Sequence, residues 1–184
     1  LACTYLDDGA DTDRASWLTA LNVNVVSAVM VTKAARPALA ASGHGAVVNF
    51  TSISSKIAQT GRWVYPACKS ALVQITRSMA MDFAGDKIRV NSVSPGWTWS
   101  KIMDTLSEGN RERTDAVAAP FHFTGRVGDP IEVGRVVAFL VSDDASVVTG
   151  ADWAADGGYS AMGPEQAVPA IPQLMPAGAG EGEQ

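Results

Sequence analysis

The alternation of long amphipathic segments with short apolar runs constrains the fold of this chain more than any other sequence feature. The amphipathic segments cover 13–41, 65–84 and a stretch that begins at Asp129. In each of them apolar side chains recur every three to four residues, as on one face of a helix. The short runs lie at 46–51, around 88–93 and at 151–156. Because helices and buried strands alternate, we predict an α/β fold with a parallel sheet.

Proline, glycine and capping residues set the expected ends of the helices. We expect Pro37 to kink or loosen the end of the first helix and Gly85 to end the second. The third helix has an N-cap residue in Asp129, a proline at its first position in Pro130 and an acid at its third in Glu132.

Three further segments are expected to lie outside these elements. Residues 97–125 are predicted to be irregular or weakly helical, and the Asp-rich stretch 7–13 is predicted to be a solvated turn with a helix cap. Residues 163–184 are rich in Pro, Gly and Ala, which predicts a flexible tail. The folded domain is therefore expected to span 1–162.

Charge and composition argue against several classes of protein. Lys and Arg total 14 against 19 Asp and Glu, and the net charge of -5 argues against a nucleic-acid binder. No apolar stretch is expected to reach the roughly 18–20 residues of a membrane span, and no secretion signal is visible, which predicts a cytoplasmic protein. Cys3 and Cys68 form no Cys-x-x-Cys pair, so we expect reduced cysteines and no metal site.

Polar side chains that could carry chemistry come directly after the first predicted strand. Ser52 stands at its carboxyl end, Tyr65 comes thirteen residues later, and Lys69 lies one helical turn beyond Tyr65. An ammonium group stabilises a nearby phenolate and lowers the pKa of the phenol, which makes Tyr65 usable as a general acid or base. A hydroxyl at Ser52 can orient a substrate oxygen. The three groups fit proton exchange at an alcohol or carbonyl oxygen, and a hydride acceptor would have to come from a cofactor.

Two other interpretations of these residues fit the pattern less well. Neither His44 nor His122 is placed to activate Ser52, which argues against acyl transfer. Tyr65 alone could be an aromatic residue packed at the start of a helix, but its register with a serine and a lysine favours a site.

The same residues resemble the short-chain dehydrogenase/reductase family, and its 3-oxoacyl reductase-like subgroup in particular. Asn49–Ser52 followed by Tyr65–Lys69 resembles the family's Ser…Tyr-x3-Lys active site, and Asn24 matches its catalytic asparagine. The other matching segments are Ile88–Gly96, Gly125–Val133 and Thr149–Gly158. The resemblance covers about residues 1–162 and implies a Rossmann-like, doubly wound parallel sheet in three α/β/α layers.

The resemblance implies a role for each matching residue. Tyr65 would be the acid/base and would also contact the cofactor, and Lys69 would lower its pKa and bind the nicotinamide ribose. Ser52 would position the reacting oxygen, and Asn24 would hold a relay water. The residues that would wrap the nicotinamide of NAD or NADP are Pro95, Gly96, Trp97, Thr98 and Ser100, the last standing where the family usually has a threonine. The expected substrate contacts are Ser54, Arg62, Trp97, Trp99, Phe121 and His122, and the two tryptophans suggest a ring-shaped or apolar alcohol or carbonyl compound.

One departure from the family keeps other functions open. The family's opening strand, glycine-rich turn and helix have no counterpart in these 184 residues, because Gly43–Gly45 precedes a strand and Gly157–Gly158 ends one. Leu1–Cys3 resembles a family segment that lies beyond that opening region. A catalytically silent, partner-dependent fragment of the same fold therefore stays possible, as does an epimerase or dehydratase. The resemblance also implies a homodimer or homotetramer.

Overall fold

The fold is a parallel sheet of three strands in the computed structural model, which describes residues 7–163. The strands are β1 (Ala46–Phe50), β2 (Arg89–Pro95) and β3 (Asp152–Ala155), and they lie in the order β1-β2-β3. Val48 pairs with Asn91, and Val93 pairs with Trp153. The predicted α/β fold with a parallel sheet is confirmed, within one to two residues at each strand end.

Helices cover both faces of the sheet. The even-numbered residues of β2 face α3 (Val64–Asp82), where Val90 packs with Met79 and Phe83 in the core. The odd-numbered residues face α6 (Pro130–Val141), where the Arg89 guanidinium donates to the Leu140 carbonyl over 2.7 Å. Since successive side chains of a strand point to opposite faces, the sheet is the middle of three layers.

The first predicted helix is continuous but changes its winding. It consists of α1 (Arg14–Leu21), a π-helical segment (Asn22–Val26) and α2 (Ser27–Ser42). Asp13 caps it by accepting from the backbone N–H groups of Ala15 and Ser16. The helix continues past Pro37 and ends before Gly43, whose φ is +73°. The kink or loosening expected at Pro37 stays a prediction.

The composition of this helix also corrects an expectation about membranes. Residues Arg14–Ser42 form 29 residues of helix whose most apolar window has a mean hydropathy of 1.4, which is long and apolar enough for a membrane span. Only 17% of that window is buried. Core helices of soluble proteins meet the same two criteria, so length and composition alone assign this helix no membrane role.

The second helix ends earlier than its sequence predicts. α3 stops at Asp82, and Gly85 lies beyond it in a 3₁₀ turn, Ala84–Asp86, so Gly85 does not end the helix. The chain reverses instead at Lys87, which has a φ of 58°. Phe83 closes the turn by packing in the core against the start of β2.

The stretch between β2 and α6 is more regular than expected. It contains α4 (Lys101–Leu106) and α5 (Arg111–Ala118), each started by a polar N-cap side chain, Ser100 and Asn110. α6 begins as predicted, with Pro130 at its first position and the Glu132 carboxylate accepting from the Asp129 backbone N–H over 2.7 Å.

Several expectations fall partly or wholly outside the described residues. The segment Leu1–Cys3, which includes Cys3, lies outside them, and so does nearly all of the predicted tail at 163–184. Within residues 7–163, Cys68 is buried, and no group of three or more His, Cys, Asp or Glu side chains could hold a metal ion.

Candidate active site

The carboxyl ends of β1 and β2 open into a cavity of about 700 Å³. β1 leads into Thr51 and Ser52, and β2 ends at Pro95, directly before Gly96. Ligands of open parallel sheets bind at this edge. The cavity is lined by residues from the π-helical segment, both strand ends, α3, α4 and α6.

Tyr65 and Lys69 project from the first turns of α3 into this cavity. Tyr65 is 7% exposed and Lys69 is 5% exposed. The ammonium group of Lys69 lies 5.4 Å from the centre of the Tyr65 ring and donates to the Phe50 carbonyl oxygen over 2.9 Å. Burial lowers the pKa of Lys69 from its ordinary value. The lysine therefore ties α3 to the end of β1 while it places a positive charge beside the phenol.

Ser52 and Asn24 complete the group predicted from the sequence. Ser52 is extended, with a φ of -169°, and its side chain accepts from the backbone N–H of Ser54 over 3.2 Å. Asn24 lies in the π-helical segment and is 4% exposed, and its side-chain amide donates to the Ala20 carbonyl over 3.0 Å. Such single π turns are frequent at functional sites, because they re-aim one side chain out of the regular helical register. All four side chains line the same cavity.

Asp7 is a contributor that sequence reasoning missed. Its carboxylate accepts from the backbone N–H groups of Trp63, Val64 and Tyr65, at 2.9, 3.1 and 3.3 Å. Partial burial opposes ionisation, yet these hydrogen bonds and one from Gly9 lower the pKa of Asp7. The interpretation of 7–13 as a solvated turn is therefore wrong for Asp7, although the predicted helix cap is confirmed at Asp13. One signal for this contact is present in the sequence. Neither Arg62 nor Trp63, at the start of α3, has a side chain of the kind that caps a helix, so the cap had to come from elsewhere in the chain.

Asp152 on β3 is a second residue without a sequence signal. It accepts from the hydroxyl groups of Thr51 and Ser92, at 2.8 and 2.6 Å, and its other oxygen lies 3.0 Å from the Lys56 ammonium. Burial alone would raise the pKa of this carboxyl, but these donors lower it. The network joins the middle of β2 and the start of β3 to the end of β1 and to the loop that comes after Ser52.

The opposite wall is formed by the residues expected at the nicotinamide. Pro95, Gly96, Trp97 and Thr98 are half-buried, and Ser100 is exposed and caps α4. A Cβ at Gly96 would lie 2.8 Å from Cα and 2.9 Å from O of Asp156, so only glycine allows this turn to lie against β3. All five residues line the cavity.

The structure divides the expected substrate contacts into two groups. Ser54, Arg62 and Trp97 line the cavity, whereas Trp99, Phe121 and His122 do not. Trp99 packs instead under the Arg111 guanidinium, 5.2 Å from its ring centre. Phe121 and His122 pack with Tyr159 and with Trp97. His122 is 3% exposed and hydrogen-bonds the Ala118 carbonyl, which holds it inside the fold. Gln59, Ile102 and Val133 line the cavity without having been predicted.

A family model described as enoyl-(acyl carrier protein) reductase matches residues 3–160. The chain belongs to the short-chain dehydrogenase/reductase family. Family membership accounts for the parallel sheet and for the grouping of a serine, a tyrosine and a lysine at its carboxyl edge.

Relatives within the family are enzymes with varied names. The chain is 36% identical over 154 residues to 2-(S)-hydroxypropyl-CoM dehydrogenase 3 of Xanthobacter autotrophicus, covering 83% of this chain and 60% of that one. It is 38% identical over 159 residues to galactitol 2-dehydrogenase of Cereibacter sphaeroides, covering 84% and 61%. Among solved structures, aldohexose dehydrogenase of Thermoplasma acidophilum is similar with a TM-score of 0.79 and 28% identity, covering 86% of this chain and 66% of that one. The chain thus spans about 60% of the length of these curated relatives.

Proposed function

We propose that this chain is the acid/base half of an NAD(P)-dependent oxidoreductase that interconverts an alcohol and a carbonyl compound. The observation that carries the proposal is the convergence of Ser52, Tyr65 and Lys69 on one cavity at the carboxyl edge of the sheet. Relatives 35% to 38% identical are named dehydrogenases that act on hydroxyl compounds, among them cyclohexanol dehydrogenase of an Acinetobacter strain and meso-2,3-butanediol dehydrogenase of Serratia marcescens.

The residues of the chain would divide the proton chemistry among them. Tyr65 would take the hydroxyl proton in oxidation and return it in reduction, since its phenol is held by a buried helix at the mouth of the sheet. Ser52 would hydrogen-bond the same substrate oxygen and orient it. Lys69 would stabilise the phenolate by its charge, and Asn24 would hold a water that passes protons towards solvent.

The cavity is suitable for the nicotinamide end of the cofactor. When bound, the cofactor would supply the hydride acceptor or donor that the side chains of this chain lack. Gly96 provides a side chain-free turn against β3, Thr98 and Ser100 offer hydroxyl groups, and Lys69 offers an ammonium for the ribose.

We also propose that this chain forms a homodimer or homotetramer. Leu18, Val26, Met30 and Val31 leave an exposed apolar surface along α1 and α2, and such surfaces mark interaction sites. A cytoplasmic location also stays a prediction.

The alternative is a catalytically silent fragment that needs a partner. It is favoured by the outer edge of β1, which no strand pairs among residues 7–163, and by the half-exposed ring of Phe50 there. Titration with NADH and NADPH, monitored by nicotinamide fluorescence, separates the two proposals. Stoichiometric binding of NADH or NADPH by the 184-residue chain would contradict the alternative of a catalytically silent fragment.

The enzymatic proposal is tested on the complete gene product that contains this chain. Secondary alcohols are supplied with NAD or NADP, and reduced cofactor is measured by its absorbance. The expected result is cofactor reduction that matches the ketone formed. Product with no net redox change would contradict the proposal and favour an epimerase or dehydratase on the same site.

A further inference from the structure

We propose that the substrate of this site carries an anionic group, such as a carboxylate, and that Arg62 binds it. The proposal rests on the proposed function, because it names the substrate class of the same cavity. It departs from the apolar or ring-shaped substrate that the sequence suggests, since only one of the two tryptophans behind that suggestion lines the cavity.

The charge of the cavity wall is the first argument. Among the described residues that line it, Arg62 and Lys69 are the cationic ones, and no Asp or Glu is present. The ammonium of Lys69 is engaged by the Phe50 carbonyl and serves the phenol. Arg62 has no part in the proton chemistry, so its positive charge can serve substrate selection instead. A cavity lined by one sign of charge favours ligands of the opposite sign.

The position of Arg62 relative to the reacting group is the second argument. Its guanidinium carbon lies 5.2 Å from the centre of the Tyr65 ring. A small molecule could therefore place its anionic group at this guanidinium and its reacting oxygen at the Tyr65 hydroxyl, with only a few bonds between the two groups. A guanidinium donates charge-assisted hydrogen bonds to a carboxylate, which would also fix the orientation of a short hydroxy or keto acid.

The backbone holds Arg62 in place before any ligand arrives. Its N–H donates to the Gln59 carbonyl over 3.3 Å, and the preceding Gly61 has a φ of 68°, which makes a tight turn. The next three N–H groups along the chain are held by Asp7, and the Ser54 hydroxyl donates to the Gln59 side chain over 2.8 Å. Such fixing reduces the entropy that ordering the site on binding would lose.

The test compares acids with neutral analogues of the same shape. Short hydroxy acids and their methyl esters are assayed with the complete gene product, its Arg62→Gln variant and its Arg77→Gln variant. Arg77 lies on the exposed face of α3, so its replacement removes the same charge away from the cavity. Charge-assisted hydrogen bonds predict a loss of about ten- to a hundredfold in kcat/KM for acids in Arg62→Gln, and a change below about threefold for esters. Equal losses for acids and esters would overturn the proposal.

A binding measurement keeps the test independent of turnover. Malonate and malonamide are titrated against each variant and monitored by tryptophan fluorescence, with Trp97 in the cavity wall as a reporter. Malonate should bind the wild type and Arg77→Gln, and should bind Arg62→Gln at least ten times more weakly. Unchanged malonate binding in Arg62→Gln would overturn the proposal even if no substrate is turned over. A loss of NADPH or NADH affinity in Arg62→Gln, with malonate binding retained, would assign this arginine to the cofactor instead.

Discussion

The side of the cavity proposed for proton transfer and the side proposed for the cofactor differ in how deeply their residues are buried. Asn24, Ser52, Tyr65 and Lys69 are each less than 10% exposed and are fixed by α1–α3 and β1. Across the cavity, Pro95–Thr98 are half-buried and Ser100 is exposed, and the outer edge of β1 pairs with no strand among residues 7–163. The residues proposed for proton transfer are therefore buried and held by contacts of α3, β1 and the π-helical segment, whereas the wall proposed for the nicotinamide is more open to solvent.

The largest effect is expected on turnover when Tyr65, the proposed acid/base, is replaced. Replacing Tyr65 by Phe removes the phenol proton and leaves the ring, so we expect turnover to fall by about 10²- to 10⁴-fold with cofactor affinity nearly unchanged. Steady-state kinetics and cofactor titration on the complete gene product measure both quantities. Tyr159→Phe, in the aromatic cluster outside the cavity, is the matched control and should keep its activity. Parallel loss of folding in Tyr65→Phe would make the residue structural.

The next effect tests the cofactor side. In Gly96→Ala the new methyl group meets the backbone of Asp156, and the strain should lower the free energy of unfolding by about 1–3 kcal/mol and weaken cofactor binding. Gly134→Ala adds a methyl group to α6 with no atom within 4 Å and should be neutral or stabilising by about 0.5–1 kcal/mol. Urea denaturation of both variants measures the difference. Equal stabilities would show that the turn at Gly96 can move freely.

A smaller effect on the free energy of unfolding is expected when the Asp7 cap of α3, the helix that carries Tyr65, is removed. Asp7→Ala removes the cap of α3 and should lower the free energy of unfolding at pH 7 by about 0.5–2 kcal/mol. Because the pKa of Asp7 is lowered in the folded state, its contribution is present above the unfolded pKa of about 4 and is lost as pH falls through the folded value. Asp8→Ala is the control, since the Asp8 side chain is exposed. Compared with the wild type, Asp7→Ala should be less stable at pH 7 and should lose part of this difference at pH 3, whereas the control should stay close to the wild type at pH 7.

The smallest effect is the pH dependence caused by Lys69. Its pKa in the folded state is below the ordinary 10.5, so the unfolded chain binds more protons between these two values. The free energy of unfolding should therefore rise with pH in that window for the wild type, relative to Lys69→Met. Urea midpoints from pH 7 to pH 10 measure this, with the exposed Lys33→Met as control. A difference between wild type and Lys69→Met that does not change with pH would contradict the burial of a charged lysine.

The sequence predicts the acid/base side better than its supports. The alternation of elements and the spacing of Ser52, Tyr65 and Lys69 are local patterns, and such patterns identify strand ends and helix faces. Asp7 and Asp152 escape prediction because their partners lie 56 to 101 positions away along the chain. Phe121 and His122 are misplaced for the opposite reason. Their residue types suit a substrate wall, but they pack with Tyr159 and Trp97 and do not line the cavity themselves.

The central claim is that Tyr65 and its neighbours serve a hydride transfer between an alcohol and a nicotinamide cofactor. The most direct measurement uses a secondary alcohol with deuterium on its carbinol carbon, together with the complete gene product and oxidised cofactor. We expect the deuterium to be recovered in the reduced cofactor, one atom for each ketone formed, and Tyr65→Phe to slow the transfer by about 10²- to 10⁴-fold. Deuterium that is retained in the product or exchanged into water, without reduced cofactor, would contradict the account.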